Sequence, residues 1–130
     1  MLRNLLSVVG GTFVGMNLGR LLAGYSAKLY PMPDSLDPTD PEAYFNFLQS
    51  LPSQAYYIIL AAHGVGALVA AIITGRIAES NQKKMAMITV FVMFVLTIAL
   101  AMMVPNPRWF VVADIIVVLI AGWIGTMFAR

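Results

Sequence analysis

Apolar residues along this chain fall into four long blocks, residues 4–29, 54–78, 85–104 and 109–128, separated by short polar stretches. A helix crossing the hydrocarbon core of a bilayer needs about 20 predominantly apolar residues, and each block approximates that length. Arg20, His63 and Asp114 interrupt three of the blocks; the third carries no charge. The one sizeable loop, residues 30–53, reads YPMPDSLDPTDPEAYFNFLQSLPS, and its proline- and aspartate-rich opening predicts turns. Asp40-Pro41-Glu42 then has the pattern of a helix start: an N-capping acid, proline at the first position and an acid in the first turn. Tyr44, Phe47, Leu48 and Leu51 follow at helical spacing until Pro52, which predicts an amphipathic helix over 41–51 lying on the outer membrane surface. GRIAESNQKK and Pro105-Asn106-Pro107 predict tight turns. The expected fold is all-α: one integral membrane domain over 1–130, a four-helix transmembrane bundle with the short surface helix covering its outer mouth.

Composition agrees with a chain built for lipid. Of 130 residues, 60% are hydrophobic and 11% charged, against about 25% charged in soluble domains. The net charge of +2 is too small and too scattered to suggest a nucleic-acid partner, and none is expected; the chain has no cysteine for disulfides or thiolate metal sites. The basic residues instead report topology. Arg3, Arg76, Lys83, Lys84 and Arg130 lie at one set of helix ends, and Lys28 and Arg108 at the other. The positive-inside rule then predicts cytoplasmic termini. Tyr25, Tyr30, Tyr44, Tyr56, Tyr57 and Trp109 gather toward the opposite side, as an interfacial belt does. The first block also has the basic start and apolar run of a signal peptide, but its length and glycine content predict a retained helix.

Helical angles of about 100° per residue sort each span into faces. In the first, SVVGGTFVGMNLGRLLAGYSA places Gly11, Gly15 and Gly19 on one small-residue face, with Asn17 and Arg20 on the opposite side. Small residues at this spacing let helices approach closely in lipid. With the polar face turned inward, the glycine face is expected to be free to meet another chain, in a homo-oligomer or a larger membrane complex. In the second span Tyr56, His63, Ala67, Ala70 and Thr74 share a face, and in the fourth Asp114, Val118, Ala121 and Gly125 do. The third span, with threonines at 89 and 97 and no glycine, is expected to be the most lipid-exposed.

A rise of about 1.5 Å per residue places Asn17, Arg20, His63 and Asp114 in the same, outer half of the bilayer. A charged side chain at the centre of a membrane helix costs about 2.5–3.5 kcal/mol on insertion scales, so Arg20 and Asp114 are expected to pair, with Asn17 and His63 completing their hydrogen bonds. Such a cluster serves either to fix helix register or to handle protons, ions or a polar ligand. Bis-histidine haem ligation needs two imidazoles, and this chain has one histidine. Asp34, Asp37, Asp40 and Glu42 lack the EF-hand spacing and its glycine. No cofactor and no metal is therefore expected, and the acidic residues are read as helix caps and loop.

The segments DPTDPEAYFNFLQSLPSQAYYIILAAHGVGALVAA and VPNPRWFVVADIIVVLIAGWIG, which include His63, Pro107, Trp109 and Asp114, resemble an uncharacterised family of small four-helix bacterial membrane proteins. The resemblance implies a bacterial inner-membrane address and brings no activity with it. Two functions follow from the residues. One is a non-catalytic subunit, not an enzyme, that assembles through its glycine face. The other is a small-solute, ion or proton transporter or channel working through the Asn17/Arg20/His63/Asp114 cluster.

Overall fold

The computed structural model describes residues 1–129 as five helices and no strands: α1 (Leu2–Leu29), α2 (Pro41–Ser50), α3 (Ser53–Ile77), α4 (Gln82–Met103) and α5 (Arg108–Thr126). All but α2 are long and apolar enough to cross a membrane. The chain is a four-helix membrane bundle with a short fifth helix in its first loop. Helix α3 is the hub: it packs against α1, α4 and α5, while α4 also meets α5 and α1. Among the described residues α1 and α5 do not meet. In the most apolar stretch of each helix, 44% of positions are buried in α3 but only 22% in α1 and in α4. The third span therefore shares the place of most exposed helix with α1, because α1 leans on the bundle along one narrow seam.

That seam is the glycine face. Gly11, Gly15 and Gly19 are buried, together with Ser7 and Ser26, against α3 of the same chain. The face expected to be free for another polypeptide is thus occupied within the monomer. The reason lies in α3, which carries its own small residues, Ala62, Gly66 and Ala70, at four-residue spacing. A Cβ built on Gly15 would lie 2.5 Å from both the Gly66 carbonyl oxygen and the Ala70 Cβ, and one on Gly66 would lie 2.6 Å from the Gly15 carbonyl oxygen. A glycine on at least one side allows two backbones this close, and in lipid such close packing holds helices together.

Polar groups tie both ends of the bundle. At the end carrying the termini, the Asn4 side-chain oxygen accepts the backbone N–H groups of Glu79 (2.9 Å) and Ser80 (3.2 Å), and its amide donates to the Ser80 hydroxyl. Asn81 supplies the left-handed residue, φ 51°, that starts α4; asparagine visits that region more readily than most residues. Arg3 Nε donates to the Ile77 carbonyl at 2.8 Å. Deeper in this half, the buried Thr74 hydroxyl bridges the Ser7 carbonyl of α1 (3.1 Å) and the Thr89 hydroxyl of α4 (2.8 Å). At the opposite end α2 is capped as its sequence predicts, Asp40 accepting the N–H groups of Glu42 and Ala43. It is held down by Tyr56, whose hydroxyl donates to the Leu48 carbonyl, and by Gln49, which donates to the Pro105 carbonyl at 3.3 Å. Asp37 accepts both the hydroxyl and the amide of Thr39, which keeps its carboxyl below the usual range. The acidic loop residues Asp37 and Asp40 thus serve turns and a cap.

Candidate functional site

Between α1, α3, α4 and α5, in the half of the bundle nearer α2, lies a cavity of about 610 Å³. That volume lies within the range of small-molecule sites, about 300–1,000 Å³. Its floor is Met16, packed against the buried cluster of Ala67, Ala70, Met93 and Val118. Below the floor Thr74 and Thr89 are fully buried, as are Ala70, Ala71 and Ala86, so the terminal half is closed. Its roof is α2, through Tyr44 and the buried Leu48. On the side between α1 and α4 it reaches the surface of the protein, where the exposed residues Phe13, Arg20 and Leu100 belong to its lining. The lining is otherwise mostly aliphatic and aromatic.

Asn17, Arg20, His63 and Asp114 all line this one cavity. Three helices deliver them: the face of α1 opposite the glycine seam, the middle of α3, and the second turn of α5. Their pairing differs from the expected one. Asp114, buried at 7% exposure, accepts from His63, with Nδ1 and Oδ1 2.7 Å apart. Arg20 lies within ion-pair distance of no carboxylate among the described residues. The cause is architectural: α3 and α5 are packed partners, whereas the backbones of α1 and α5 stand apart across the cavity. The Asn17 amide nitrogen donates back to the Phe13 carbonyl at 2.8 Å, within its own helix.

The arrangement has definite chemical capacity. A short hydrogen bond from Nδ1 to a buried carboxylate fixes the orientation of the imidazole, leaving Nε2 as its second hydrogen-bonding position. Arg20 adds a permanent cation and up to five donors. Asn17 and the Thr97 region contribute neutral polarity, although the Thr97 hydroxyl is engaged by the Met93 carbonyl at 2.8 Å. Among the described residues no three His, Cys, Asp or Glu side chains converge as a metal site.

Sequence reasoning found the four polar residues and missed the structural ones around them. Asn4, which clamps the α3–α4 turn, lies outside any face pattern. Thr74 and Thr89 share no sequence neighbourhood, and only the crossing of α3 and α4 brings their hydroxyls together. Tyr56 was legible as an inward residue, but its bond to α2 depends on where the surface helix lands. Comparison of the chain with family models, with curated proteins and with solved structures finds no match, so a functional reading rests on the geometry of the cavity.

Proposed function

We propose that this chain is a small multi-pass membrane protein of the solute-handling class, a transporter or channel whose binding site is the cavity beside α2. The observation that carries the reading is convergence: every polar residue expected to matter inside the membrane lines one cavity of ligand size. Intramembrane ionisable residues are expensive and are found chiefly where a substrate or ion path needs them. A network that only fixes register would pair its charges, whereas here Arg20 is without a protein counterion among the described residues. The competing reading, a non-catalytic subunit assembling with itself or a larger complex, loses the glycine face on which it rested. The same proposal places the protein in a bacterial inner membrane with both termini cytoplasmic and the α2 mouth outward, in keeping with the distribution of basic residues.

Native mass spectrometry of the protein released from a mild detergent tests this. The expected result is a small molecule retained by the wild type and lost from Leu96→Trp, which fills the cavity, with helical content unchanged. A stoichiometric protein partner in both forms, with no small molecule in either, would favour the assembly reading.

A further inference from the structure

Resting on that reading of the site, we infer the chemical class of its ligand: a single-chain amphiphile with one anionic headgroup, held by Arg20 and entering sideways from the bilayer between α1 and α4. Three features of the cavity lead there. First, charge. The carboxylate of Asp114 already has His63 at 2.7 Å, while Arg20 has no carboxylate within ion-pair distance among the described residues. The charged side chain left without a protein partner at the mouth is therefore the guanidinium. Its fork of N–H donors matches a carboxylate or phosphate in a two-point contact, so the missing partner is an oxyanion.

Second, the walls. Apart from the polar residues already named, most of the lining is apolar, with Met16, Leu96, Leu100, Val111 and Phe110 among it. A fully polar anion would satisfy Arg20 but leave these surfaces facing nothing. A ligand with a hydrocarbon chain places its head at Arg20 and its tail along them. Third, access and size. The residues that bring the cavity to the surface, Phe13, Arg20 and Leu100, sit on the lipid-facing flanks of two membrane helices, while α2 covers the mouth above. A bilayer-dissolved molecule meets this opening directly; a water-dissolved one meets the α2 roof first. At about 610 Å³ the volume suits a drug-sized molecule, hence one chain and not the two of a phospholipid.

The test is photolabelling of the full chain in phosphatidylcholine vesicles. The probe is a long-chain fatty acid carrying a diazirine, compared with the matching fatty alcohol, and labelled peptides are mapped by mass spectrometry. The acid is expected to label Met16, Leu96 or Leu100 several-fold more than the alcohol does. That preference should disappear in Arg20→Gln, persist in Arg20→Lys, and be unchanged in the control Lys84→Gln, at the opposite end of the bundle. Arg20 is exposed, so its variants are expected to fold, and equal elution and circular dichroism check this. Equal cavity labelling by acid and alcohol, insensitive to Arg20→Gln, overturns the anionic headgroup while leaving a ligand-binding cavity in place. Labelling by a diazirine phosphatidylglycerol in preference to the acid overturns the single chain. Labelling confined to the lipid-facing Ile116 and Trp123 overturns the assignment altogether. In that last case the retained molecule in the mass spectrum still decides the broader function separately.

Discussion

The two halves of this bundle treat their polar residues in opposite ways. In the half carrying the termini, the internal polar groups mostly have protein partners: Thr74 joins Ser7 and Thr89, and Asn4 joins Glu79 and Ser80, while the Thr12 hydroxyl is buried without one. The helices there press backbone to backbone through Gly11, Gly15 and Ala70. In the half under α2 the helices stand apart around a cavity, and the strongest polar group, Arg20, has no protein partner of opposite charge. A polar residue inside a membrane can be structural or functional, and its residue type does not tell which. Satisfied hydrogen-bonding capacity in a closed region marks the structural kind. On the function proposed above, unsatisfied capacity facing a cavity marks the functional kind.

The largest effect that can break this comparison is expected at the seam. Gly15→Leu puts a side chain where even a Cβ would lie 2.5 Å from the Gly66 carbonyl and the Ala70 Cβ. Overpacking of cores typically costs about 1–3 kcal/mol, and here the obstacle is partly backbone, which has little freedom to yield. We expect the upper end of that range or more, read as a large loss of thermal stability in detergent. Gly10→Leu, at a position where an added Cβ meets nothing within 4 Å, should leave stability almost unchanged. If Gly15→Leu instead dissociates an oligomer and leaves the monomer as stable as before, the seam is between chains and the comparison fails.

Asp114 comes next. Asp114→Ala removes the acceptor of His63 and leaves a polar ring atom facing the cavity without its partner. An unsatisfied buried polar group costs about 1–3 kcal/mol; His63 is only half-buried, which places the expected loss toward the lower end. Asp114→Asn keeps an acceptor and should lose less, while Arg20→Gln should lose least of the three, because Arg20 is exposed and has no carboxylate partner. Chemical denaturation of the three variants in one detergent orders them. A loss for Arg20→Gln equal to that for Asp114→Ala would mean that Arg20 and Asp114 pair after all, and that the cavity half is as structural as the other.

These orderings also measure how far the sequence could be read. The four spans, the cap at Asp40 and the inward faces of α3 and α5 were legible because each depends on local periodicity and chain length. Likewise, the common depth of Asn17, Arg20, His63 and Asp114 follows from counting residues along separate helices. Which of them touch does not follow, because that depends on which helices are neighbours. Arg20 and Asp114 share a depth, yet α1 and α5 stand on opposite sides of a cavity, and His63, on the helix between them, takes the carboxylate. The glycine face illustrates the same limit. Its existence is a property of α1 alone; its partner is set by the matching small residues at Gly66 and Ala70 of α3, a complementarity visible only when both helices are considered as a pair.

The smallest effect is the sharpest probe of the closed half. Thr74→Val keeps the shape of a fully buried side chain while deleting the hydroxyl that donates to the Ser7 carbonyl or to Thr89. Interhelical hydrogen bonds in membranes contribute about 0.6 kcal/mol on average and at most about 1.7. Val therefore should cost about that average, since the Thr89 hydroxyl, left behind, can turn to a carbonyl of its own helix. Thr89→Val leaves Thr74 its bond to the Ser7 carbonyl and should cost less, and the double variant should lose less than the two single losses combined, because both remove the Thr74–Thr89 bond. A double-mutant cycle by denaturant titration reads the coupling. Additive losses would show that the two hydroxyls act independently and that tight helix packing alone closes this half of the bundle.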